Sequence, residues 1–78
     1  MSWQYNYYDE AVQALEDALA DLSANQVDYN ESYEWVEREA LLVLRNIREG
    51  GNADAYHMIG LIEAEIADQK RIAVEEAA

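Results

Sequence analysis

The chain contains no cysteine, which excludes a disulfide framework and a thiolate metal site. It contains no proline, so nothing interrupts a helix from within. Phenylalanine is missing too, and the aromatic residues are two tryptophans and six tyrosines. Basic residues are scarce: five Lys+Arg stand against 17 Asp+Glu, for a formal charge of −12. That charge excludes the usual basic nucleic-acid binder, whose affinity comes from neutralising phosphates. It also argues against docking on an anionic membrane surface. The longest apolar run is Ala40–Leu44, far short of the ~20 residues that a membrane span needs. The amino terminus has no Lys or Arg ahead of an apolar stretch, so no signal peptide is expected and the chain reads as soluble and cytoplasmic.

What is present fits one small globular domain. Half of the 78 residues are apolar (51%), too many for a disordered chain. A chain of this size buries only roughly 60–65% of its extended surface, so its core is modest. The charge is unevenly placed. Residues 1–37 hold nine acids and no base, whereas residues 38–78 hold eight acids and all five bases. There is no internal repeat, linker or second domain.

Three helices are expected, over about 7–22, 30–48 and 53–74, behind an aromatic arm at 1–6. In the first, Val12, Leu15, Leu19 and Leu22 recur at spacings of 3, 4 and 3, one stripe of a 3.6-residue period. Asn6 or Asp9 can cap it, and Asp9 and Glu10 suit the positive end of the helix dipole. The second opens with Asp28 and Glu31 as a capping box and closes at Gly50–Gly51. Its inward stripe is Tyr33, Val36, Ala40, Val43, Leu44 and Ile47. Trp35, Leu41 and Leu42 make it apolar on more than one face, as expected of a central helix covered by both neighbours. In the third, Asn52 is the expected cap and Ala55, Ile59, Ile62, Ile66 and Ala73 the stripe, with Met58 and Ile72 at its edge. Gly60 inside it suggests close helix approach, and the tail Val74–Ala78 is expected to fray. Short connections between three such helices predict an all-α, antiparallel three-helix bundle. The alternative is a helical hairpin completed by homodimerisation, which would cover the second helix's extra apolar face.

The acids carry the functional argument. Glu10, Asp17 and Asp21 are spaced 7 and 4 residues apart, on one outward face of the first helix, roughly 10 and 6 Å along its axis. Asp28, Glu31, Glu34 and Glu37 continue the negative field. A face that only confers solubility usually mixes signs to gain i,i+4 pairs, and residues 1–37 do not. The contact set expected for Lys and Arg of a partner is therefore Glu10, Asp17, Asp21, Asp28, Glu31 and Glu34. Tyr5, Tyr7 and Tyr8 are the expected aromatic anchors, since guanidinium groups pair with carboxylates and stack on rings. The bland alternatives are a solvated acidic face and rings that close one end of the core, the latter above all for Trp3 and Trp35.

Other constellations are weak. Asp54-x-x-His57 has the i,i+3 spacing of a carboxylate–histidine metal pair but lacks a second pair. Asp28-x-Asn30-x-Ser32 with Glu39 matches four positions of a calcium loop, with Tyr33 where glycine belongs. There is no Ser or Thr beside a His and no Gly-rich phosphate loop, so neither catalysis, a metal nor another cofactor is expected.

In overall character the chain resembles the small acidic DNA-mimic proteins of phages, the antirestriction and anti-CRISPR inhibitors. The likeness rests on Trp3-Gln4-Tyr5-Asn6-Tyr7-Tyr8-Asp9-Glu10 followed by Glu16, Asp17 and Asp21. It implies a phage-encoded protein in a bacterial cytoplasm. Its partner would be a basic nucleic-acid-binding protein such as a CRISPR effector or restriction enzyme, blocked by competition and without enzymatic activity. Two other readings of the composition stand beside it. One is a helical interaction module that dimerises around Trp35, Leu41 and Leu42, its acids serving solubility. The other is halophilic adaptation, which the excess of acids and of Arg over Lys also fits.

Overall fold

The computed structural model describes residues 7–77, with side chains from residue 9 onward. The aromatic arm at 1–6, Tyr5 and the side chains of Tyr7 and Tyr8 lie outside the described residues. The fold is all-α: α1 (Tyr7–Ala24), α2 (Glu31–Arg48) and α3 (Ala55–Ala77). No strand occurs among the described residues.

Cross-helix bonds give the directions. At the start of α2, Tyr33 donates its hydroxyl hydrogen to the carbonyl of Leu22 at the end of α1 (3.3 Å), and Arg48 at the end of α2 pairs with Glu16 of α1. These two helices are therefore antiparallel. Tyr56 in the first turn of α3 reaches Glu10 in the first turns of α1, which makes α1 and α3 parallel.

The core follows the apolar periodicity. Leu15, Leu22, Tyr33, Val36, Ala40, Leu44, Met58 and Ile62 form one buried cluster. Ala11, Ile47 and Ala55 form a smaller one where α2 turns into α3. The Tyr33 phenol is held above its ordinary pKa by burial first and by the Glu37 carboxylate second. Exposed ion pairs such as Glu34–Arg38, at 3.9 Å, add at most a few tenths of a kcal/mol.

Several local expectations are corrected. Asn30, not Asp28, caps α2, its side chain accepting from the Tyr33 N–H at 2.9 Å. Asp54, not Asn52, caps α3, accepting from the His57 N–H at 3.0 Å. Asn46 explains the later start. Its side-chain oxygen accepts from the Ala53 N–H and its carbonyl from the Gly51 N–H, which holds the turn open until Asp54. That turn needs glycine at position 50, where φ is +92°, and a Cβ on Gly51 would push the Asn46 side chain out of its place. α3 runs on through the expected tail to Ala77.

Two corrections concern packing. Trp35, Leu41 and Leu42 are exposed, so α2 is not wrapped by its neighbours and Trp35 does not close the core. Gly60 is exposed, and a Cβ there meets nothing within 4 Å, so no close helix approach requires it. Gly60→Ala is expected to stabilise the fold by about 0.5–1 kcal/mol, because alanine loses less backbone entropy on entering a helix. Urea denaturation of the two chains checks this, and an unchanged midpoint would contradict it.

Candidate functional site

The acidic ridge is built by α1. Ala11, Leu15 and Leu22 turn one side of that helix into the core, which leaves Glu10, Asp17 and Asp21 together on the exposed surface. The Tyr56 hydroxyl donates to Glu10 at 3.4 Å, which sets the ridge on the α3 side of α1. Glu16 lies on the opposite flank, paired with Arg48 of α2. The Glu10–Tyr56 offset of 46 residues, carried along two parallel helices, brings Glu63 level with Asp17. Glu63 is exposed and extends the ridge onto α3, and Lys70, two turns further on, marks its far end.

The chain's arginines are all engaged away from this ridge. Arg38 pairs with Glu34, Arg45 with Glu49, Arg48 with Glu16, and Arg71 with both Asp68 and Glu75. Asp68 first and Glu75 second hold the Arg71 guanidinium above its ordinary pKa. Every arginine thus has an acidic partner, and none of those partners is Asp17 or Asp21. Asp17 accepts a hydrogen bond from the Gln13 side chain at 3.0 Å, a neutral partner.

The six expected contact carboxylates do not share one face. Glu10, Asp17 and Asp21 form the ridge. Asp28 sits in the α1–α2 connection, its carboxylate accepting from the Asn30 side chain at 3.4 Å. Glu31 and Glu34 stand on the outward face of α2 among Trp35, Arg38, Leu41, Leu42 and Arg45, a surface of mixed sign. Of the three aromatic anchors, Tyr7 and Tyr8 begin α1, and Tyr5 precedes the described residues.

A second polar cluster escaped the sequence reading. Glu65 and Gln69 are buried, at 4% and 0% exposed, in line with Ala55, Met58 and Ile62. Gln69 clamps the α1–α2 connection. Its side-chain oxygen accepts from the N–H groups of Val27 (2.7 Å) and Asp28 (2.8 Å). Its nitrogen donates to the Asp28 carbonyl (2.9 Å) and to Glu65 (3.1 Å). The Ser32 hydroxyl donates to the other Glu65 oxygen at 2.5 Å. No buried side-chain polar atom among the described residues is left without a partner, so this cluster is a finished structural device.

The weaker constellations come apart in the fold. His57 is exposed in the first turn of α3, where the Asp54 side chain is occupied in capping. Asn30 caps α2 and Ser32 bonds Glu65, which takes two positions from the calcium-type set. No group of three or more His, Asp or Glu among the described residues could hold a metal ion. No described helix is long and apolar enough to cross a membrane. Comparison with protein-family models, with curated proteins and with solved structures finds no match to this chain.

Proposed function

We propose that this chain is a non-enzymatic binding protein of the DNA-mimic type, whose acidic ridge occupies the nucleic-acid-binding surface of a basic partner. One observation carries this: Asp17 and Asp21 are exposed and have no ion pair among the described residues, while all four arginines are paired with other acids. Leaving like charges adjacent on a rigid helix costs stability, and an approaching cationic surface relieves that cost. Glu10, Asp17, Asp21 and Glu63 are the carboxylates that meet Lys and Arg of the partner. Tyr5, Tyr7 and Tyr8 are the proposed rings on which its guanidinium groups stack. B-DNA carries one charge per ~1.7 Å of axis, and a partner surface built for that density offers several cations to a ridge of this length. A CRISPR effector or restriction enzyme is a partner of this chemistry. Association is fast and weakens as salt is added.

The test measures how strongly the chain blocks DNA retention by such basic effectors. Asp17→Lys/Asp21→Lys is expected to weaken inhibition at least tenfold, about 1.4 kcal/mol or more. Glu75→Lys/Glu76→Lys, which changes the net charge equally at the far end of α3, is expected to have little effect. Equal inhibition by the parent chain and the α1 variant would exclude the ridge as the contact surface.

A further inference from the structure

The outward face of α2 carries three large apolar side chains left uncovered together. Trp35, Leu41 and Leu42 are 46%, 52% and 53% exposed, and Tyr29 just before the helix is 50% exposed. Aromatic side chains offer about 150–250 Å² each, so two half-exposed rings and two leucines present roughly 400 Å² of apolar area. A standard interface buries about 800 Å² per partner, a little over half of it apolar, so a patch of this size suits a dimer.

The charges on this face have a particular order. Glu31 and Glu34 lie at the start of α2 and Arg45 near its end, with Arg38 between them. The midpoint between Glu31 and Arg45 is residue 38. The midpoint between Trp35 and Leu41 is also 38, and that between Trp35 and Leu42 falls half a residue further on. An antiparallel copy turned about a two-fold axis at Arg38 therefore satisfies both sets at once. Trp35 meets Leu41 and Leu42 of the second copy, and Glu31 meets its Arg45. The two Arg38 side chains come together on the axis, each within one helical turn of both Glu34 carboxylates; its own Glu34 already lies at 3.9 Å. Such self-complementarity is what an isologous contact requires.

We propose that this face pairs with the same face of a second copy, α2 antiparallel to α2, to form a homodimer. The ridge on the α3 side of α1 stays outside the contact, so dimerisation does not depend on the proposed acidic-ridge function. The salt dependence of the two contacts is opposite. Each copy carries −12, and added salt screens that mutual repulsion, so the dimer tightens where binding of a basic partner weakens.

Sedimentation equilibrium of the full chain, from micromolar to millimolar and at low and high salt, tests this. A dimer that tightens with salt is expected. Leu42→Glu is expected to weaken it at least tenfold, with helical circular dichroism unchanged because position 42 is exposed. Glu31→Arg is expected to weaken it about tenfold by opposing the second copy's Arg45, and the exchange Glu31→Arg/Arg45→Glu to restore most of that loss. A chain that stays monomeric throughout would overturn the dimer. So would a dimer indifferent to Leu42→Glu, or a charge exchange that restores nothing.

Discussion

Gln69→Glu is expected to destabilise the chain strongly at neutral pH and to recover most of that loss as the pH falls towards 4. Gln69 is fully buried and serves as donor and acceptor at once. Its oxygen takes two backbone N–H groups, and its nitrogen serves the Asp28 carbonyl and Glu65. A carboxylate in its place keeps the two acceptor contacts but turns an oxygen against the Asp28 carbonyl and a second negative charge against Glu65. Losing two donor contacts inside the fold and adding like-charge repulsion costs about 3 kcal/mol or more. A domain of this length has only about 5 kcal/mol to lose. The sign of the pH dependence follows from the burial. The new carboxyl has a folded-state pKa raised above its unfolded value, so its protonated form, which can donate again, is favoured by folding. Stability is then present at low pH and lost as the pH rises through the folded-state value. Urea denaturation between pH 4 and 7 checks this, with Gln69→Met as control: its loss is expected to be independent of that titration. A Gln69→Glu chain as stable as the parent at pH 7 would show that the clamp contributes nothing.

Leu15→Ala is expected to cost about 3–4 kcal/mol, and Leu42→Ala less than about 1 kcal/mol, in the isolated chain. Leu15 is completely buried in the main cluster, which also holds Tyr33 and Ile62. Truncation there removes transfer free energy and leaves a cavity that three packed helices close only in part. Leu42 is 53% exposed, and its truncation leaves no cavity. Thermal melting at low concentration, where chain association does not contribute, separates the two. A large loss from Leu42→Ala under those conditions would mean that the α2 face is packed within one chain.

The contrast between these leucines marks how far the sequence could be read. The spacing in α1 placed Leu15 and Leu22 in the core and Glu10, Asp17 and Asp21 together outside it, because one helix face is a local property. In α2 the pattern was apolar on more than one side, and pattern alone reports what a face could bury and not whether a neighbour reaches it. Trp35, Leu41 and Leu42 therefore looked covered and are not. In α3 the buried row runs through Glu65 and Gln69, which an apolar stripe passes over. Their burial depends on partners more than thirty positions away, Ser32 and the Val27–Asp28 backbone. Gly60 looked like a packing glycine and faces solvent. Asn52 and Asp54 are both good caps, and the choice between them is made by Asn46 across the turn. The ridge itself was half legible. Its α1 members follow from spacing, whereas Glu63, and the separation of Glu31 and Glu34 onto another face, follow only from how the helices dock.

The Gln69 clamp also dictates which amides report on the last step of assembly. The N–H groups of Val27 and Asp28 belong to an exposed connection, yet both donate to a side chain 42 and 41 positions away. Their hydrogen exchange is therefore governed by the undocking of α3 and not by fraying nearby. In a helical hairpin of α1 and α2 alone these two amides would exchange freely, so their protection times the arrival of the carboxy-terminal helix.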